Sequence, residues 1–117
     1  MESILTSIKL LLGMDEDYTE FDSDIIMHIN SVFVILTQLG VGPSKGFRIE
    51  DSSATWYEYT QDNLLIESVK TYIHLKVKLI FDPPSSSAVI ASMERLISEF
   101  EWRLNVAVDP ADTFERR

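Results

Sequence analysis

The sequence contains no cysteine. That excludes a disulfide framework, a thiolate metal site and a cysteine nucleophile. Histidine is nearly as scarce, with only His28 and His74 among 117 residues. Neither stands in a Glu-x-x-His or His-x-x-x-His arrangement, so both read as structural or surface histidines. Basic residues number 10 against 19 acidic ones, for a net charge of -9. A reader of nucleic-acid sequence carries a basic face, and an anionic membrane attracts one, so neither partner class fits. An acidic wall still suits DNA that must pass without sticking. Long apolar runs are also missing. The longest, Val32 to Leu36, is far short of the roughly 20 residues needed to span a bilayer. Met1 to Leu12 holds Glu2 and Lys9, and no small-residue cleavage site follows. A soluble protein, neither exported nor membrane-embedded, is therefore expected.

What is present is a hydrophobic fraction of 45%, enough for one core in a chain of this length. Its apolar residues recur at three- and four-residue spacing in four segments, which predicts an all-α fold. The first runs from about Ile4 to Leu12, with Ser3 or Glu2 at its start and Gly13 at its stop. Ile4, Leu5, Ile8, Leu11 and Leu12 share one face. The second runs from about Ser23 to Gln38, behind an acidic connection that complements the positive end of its dipole. Val34 and Ile35 widen its apolar stripe and predict burial on more than one side. The third runs from about Asn63 to Phe81, with Ile80 on its core face. It ends at Asp82-Pro83-Pro84 because proline disfavours helix in the residue before it. The fourth starts near Ser85 to Ser87 and reaches about Asn105, with Val89, Met93, Leu96, Ile97, Phe100 and Leu104 as its stripe.

Between the second and third segments lies a long loop, residues 40–62. It holds three of the four glycines, and Trp56, Tyr57 and Tyr59 crowd together near its end. A structureless loop of that length in a compact domain is usually functional or disordered, and the aromatics argue against disorder. The cluster suits packing the loop onto the helices, or stacking on a base, a sugar or a protein partner. After Val108 the chain turns polar, with Phe114 as the one large apolar side chain in 109–117. The architecture expected is a small four-helix bundle over residues 1–108, with an extended C-terminal arm over 109–117.

Motifs with chemistry in them fail on inspection. Asp15-Glu16-Asp17-Tyr18-Thr19-Glu20 resembles the start of a calcium loop, but Glu20 stands where glycine is needed and Ile26 where the closing glutamate is needed. Gly40 to Gly46 lacks the glycine-lysine-serine ending of a phosphate loop and follows a helix rather than a strand. No serine, histidine and acid triad has a local signature. The chain is expected not to be an enzyme and to need no cofactor and no metal.

One ordered set of features points further. Leu5 to Gly13 (LTSIKLLLG) is followed by Phe21 to Ile26 (FDSDII), Ile29-Asn30 and Gln38 to Gly42 (QLGVG). Lys78 to Pro84 (KLIFDPP) and Phe100 to Asn105 (FEWRLN) complete it. This is similar to the small head-tail connector proteins of tailed bacteriophages, also called adaptor or head-completion proteins. The resemblance covers about residues 3–108. It implies a homo-oligomeric ring, twelvefold, under the portal protein of a filled capsid, and Val34, Ile35, Leu75 and Leu79 either supply the contact between its subunits or lie in the subunit's own core. It implies a DNA channel through that ring, and a tail-side stopper or tail terminator docked below. It implies a place in the virion at the head-tail junction, after assembly in the host cytoplasm. The family's long loop edges the channel or contacts neighbours, and its C-terminal arm reaches the portal. The candidate partner-binding residues are then Phe47, Arg48, Trp56, Tyr57 and Tyr59 in the loop, with Asp109, Pro110, Phe114, Arg116 and Arg117 in the arm. Without the resemblance, the alternative is a small acidic helical adaptor or regulator of one cellular protein.

Overall fold

A computed structural model describes residues 2–108 of the chain. Its helices are α1 (Ile4–Leu11), α2 (Asp22–Gln38), α3 (Trp56–Tyr59), α4 (Asn63–Phe81) and α5 (Ser87–Val108). The fold is all-α, and the four expected helices are all there. The fifth, α3, is a single turn inside the long loop. The arm 109–117, with its five candidate residues Asp109, Pro110, Phe114, Arg116 and Arg117, lies outside the described residues.

Helix ends follow local chemistry. The Ser3 hydroxyl accepts the Thr6 amide at 3.2 Å and starts α1. The Asp62 carboxylate accepts the amides of Leu64 and Leu65 at 3.1 and 3.2 Å and starts α4. Asp22 and Asp24 fill the first turn of α2, where negative charge is favoured. The Ser86 hydroxyl accepts the Val89 amide at 3.3 Å near the start of α5.

α4 is the central element. It packs against α1, α2 and α5. Ile4, Leu5 and Ile8 of α1 meet Ile25, Ile29, Val32, Phe33 and Leu36 of α2, and Val69, Tyr72, Ile73 and Val77 of α4, in one buried cluster. α5 joins this core through Ile97 and Leu104, with Phe100 half-buried beside them. Two polar ties reinforce that seam. The Tyr72 hydroxyl donates to Glu101 at 2.7 Å, and the Asn105 amide donates to the Leu39 carbonyl at 3.1 Å.

Several expected core positions are instead exposed. Leu11, Val34, Ile80, Val89 and Leu96 all present large surfaces to solvent. The physical reason is coverage. Periodicity says which residues share a face, but the width of the buried strip depends on what packs over it. α5 meets only one neighbour broadly, so just its central stripe is covered, and α2 has no helix over its outer face.

The loop 40–62 is not a free excursion. An isolated antiparallel bridge pairs Ser3 with Thr55, and the Ile4 amide donates to the Ala54 carbonyl at 3.0 Å. Near the loop's middle the Asn30 side chain clamps Ile49. Its Nδ2 donates to the Ile49 carbonyl at 2.9 Å and its Oδ1 accepts the Ile49 amide at 2.8 Å. One amide side chain thus imitates a neighbouring strand. Asn30→Ala strips both partners from a residue whose side chain is buried. It should cost about 2 kcal/mol. Urea unfolding measures this, and limited proteolysis should show new cuts between 44 and 53. An unchanged cleavage pattern would show that the clamp does not hold the loop.

Candidate interaction surfaces

The aromatic cluster divides sharply. Trp56 is 0% exposed, and its indole N–H donates to the Ser7 hydroxyl at 2.9 Å. The Ser7 hydroxyl passes its own proton to the Ile4 carbonyl at 3.0 Å. Tyr59 is buried beside Phe33 and Phe47, with ring centroids 5.0 and 5.2 Å away. Its hydroxyl has no hydrogen-bond partner among the described residues, and burial pushes its pKa up. That ring also explains Gly42. The glycine has a φ of +84°, and a Cβ there would lie 2.5 Å from the Tyr59 hydroxyl. Trp56 and Tyr59 are therefore core residues, and as partner-binding candidates they are corrected. Thr55-Trp56-Tyr57-Glu58 puts them there. It is a capping-box sequence, and Glu58 accepts the Thr55 amide at 2.7 Å. The turn it starts points alternate aromatics inward.

Tyr57 and Arg48 do reach the surface. The Tyr57 hydroxyl donates to Asn63 at 3.3 Å. Phe47 is half-buried and forms one wall of a groove on the outer face of α2. Ile26, Met27 and Val34 floor that groove, and Lys45 and Arg48 flank it. A second groove lies between the start of α4 and the end of α5, lined by Leu64, Leu65, Phe100 and Leu104. Leu64 there is 82% exposed. Trp102, on the outer side of α5, is 68% exposed. An exposed tryptophan of this kind is a side chain that protein interfaces use as an anchor.

The acidic connection before α2 has its own structure. Lys9 is 2% exposed, although it is a lysine. Its ammonium lies 2.8 Å from Asp22 and donates to the Glu16 carbonyl at 3.0 Å. It pins the connection down from inside. Tyr18 and Phe21 meet edge to face at 5.8 Å, and Phe21 meets Phe81 of α4 at 5.4 Å. The Tyr18 hydroxyl donates to Glu20 at 2.7 Å, which raises its pKa.

The histidines are apart. His28 lies half-buried on α2 and His74 half-buried on α4. Burial, then the charge of Lys78, lowers the His74 pKa, and its Nδ1 has no partner among the described residues. No group of three or more metal-ligating side chains gathers among the described residues. No helix among them is long and apolar enough to cross a membrane.

The geometry describes a small all-α protein whose surface features are grooves and exposed apolar anchors for other proteins. A family model, Phage connector protein, matches residues 4–111, and the chain belongs to that family. Membership makes it a structural phage protein of the head-tail junction that contacts other head or tail proteins of the virion. No curated protein and no solved structure matches the chain.

Proposed function

We propose that the chain is one subunit of a ring, twelvefold, seated beneath the portal, extending the DNA channel toward the tail. A tail-side stopper or terminator docks on its far face. The subunits are made and assembled in the host cytoplasm, and they carry out no catalysis. The observation that carries this reading is the family match over residues 4–111, joined to a fold that leaves Trp102, Leu64, Met27 and Val34 uncovered. In the assembled ring, neighbouring proteins cover these side chains. The excess of 19 acidic over 10 basic residues suits a channel that DNA must traverse without binding. The arm 109–117 supplies the portal contact.

Electron microscopy of the protein mixed with its cognate portal tests this. Rings coaxial with the portal are expected, and deleting 109–117 should abolish portal binding while leaving helicity intact. A protein that remains monomeric with portal present would overturn the ring.

A further inference from the structure

The groove on α2 has a chemical complement elsewhere on the same chain. Its floor is apolar, from Ile26, Met27 and Val34, and its flank is basic, from Lys45 and Arg48. Met27 and Val34 are each 57% exposed, so nothing among the described residues covers them. The wall is preformed, because the Asn30 clamp on Ile49 fixes the segment that bears Phe47 and Arg48.

The acidic connection shows the opposite pattern. Asp15, Glu16, Asp17 and Glu20 are exposed, and among them stand the exposed rings of Tyr18 and Phe21. This ridge is also preformed, held by Lys9 from below and by Phe81 from the side. Ridge and groove lie on different sides of α2. Phe21 turns to α4, whereas Met27 and Val34 lie on the side away from the core. Both are locked by packing, so they cannot meet within one subunit. A ridge of this kind that enters the groove therefore belongs to another copy.

Charge makes the same point. Copies with a net charge of -9 repel one another, and opposite charges facing each other at a contact offset that repulsion. Lys45 and Arg48 are two of only 10 basic residues, and they stand together beside an open apolar floor. A contact between two different faces of identical subunits is heterologous, the kind that closes into a ring. We infer that the α2 groove receives the acidic aromatic ridge, residues 15–21, of the next copy. Tyr18 and Phe21 then cover Met27 and Val34, where sulfur and ring make a favourable contact. The ridge carboxylates face Lys45 and Arg48. This inference rests on the ring reading above and names the surfaces that build it.

The absence of cysteine makes the test clean. Met27→Cys and Tyr18→Cys are made in separate chains, mixed, assembled alone or on portal, and treated with a short bis-maleimide. A cross-linked dimer is expected from the mixture and not from either variant by itself. In parallel, Lys45→Glu with Arg48→Glu, and Asp17→Lys with Glu20→Lys, should each abolish rings at physiological salt. All four changes in one chain should restore them. These side chains are on the surface, and circular dichroism will show that helicity is unchanged. Wild-type rings without the cross-link, and rings that persist in the Lys45 and Arg48 double variant, would place the interface elsewhere and leave the ring reading standing. No wild-type rings, with or without portal, would overturn both. Where charge reversal abolishes rings but the fourfold change does not restore them, the cross-link decides.

Discussion

Trp56→Ala should lower stability by about 4 kcal/mol, on the order of 15 °C in Tm. The side chain has no exposed surface, and it sits where the loop, the start of α1 and the core converge. Its removal leaves a cavity and takes away the donor to the buried Ser7 hydroxyl, which keeps its own bond to the Ile4 carbonyl. Trp56→Phe separates the two effects. It keeps most of the apolar volume and loses only the N–H to Ser7, so about 1–2 kcal/mol is expected. Urea unfolding followed by circular dichroism measures both. In a Trp102→Phe background the remaining tryptophan reports its own burial by fluorescence. If Trp56→Ala costs under about 1 kcal/mol, the loop does not plug the core.

The second large effect is at Lys9. Replacing it with Met should cost about 3 kcal/mol, because removing one partner of a buried pair leaves the other charge without compensation. Asp22 is 26% exposed and regains some water, which keeps the loss at the lower end of the range. The Glu16 carbonyl also loses its donor. Adding Asp22→Leu should recover most of the loss, since two apolar residues can replace a buried pair with little penalty. The shift should be in the urea midpoint with the slope unchanged. A single substitution costing less than 0.5 kcal/mol, on the order of one exposed pair, would mean that the ammonium is not needed to hold the connection.

Helix positions were legible wherever the sequence carries an end signal. Asp62 and Asp82-Pro83-Pro84 bracket α4, and the expected span from Asn63 to Phe81 is the observed one. α3 was not anticipated, because a four-residue helix is too short for periodicity. Its only signal was Thr55 and Glu58 at capping-box spacing. α5 runs on to Val108, past the expected end at Asn105, where no glycine or proline stops it. The burial of Lys9 was readable in principle, since it lies one turn from Leu5 on the apolar side of α1. Charge type outweighed position there. The α2 groove was not legible at all. It joins a helix face to a loop segment brought close by Asn30, a residue that stood in the sequence only as part of a family pattern. Of its lining, the sequence offers Phe47 and Arg48 as partner-binding candidates and Val34 as a core or ring-contact residue, whereas Met27 carries no signal of its own.

The union of α1 with the second half of the loop has a consequence for how the chain is made. Ser7 and Trp56 are 49 residues apart, and Glu2 and Lys70 are 68 apart. As the polypeptide leaves the ribosome, α1 emerges before α2, the loop and α4. At eight residues it is too short to persist as a free helix in water. α2 can shelter part of its apolar face early, but the side beneath Trp56 stays open until that residue has been made, and α4 comes later still. α1 is thus secured only after the elements that cover it have been made. A chain in synthesis carries uncovered Ile4, Leu5 and Ile8 until those elements are made, so translation itself sets the interval in which wrong partners can intrude.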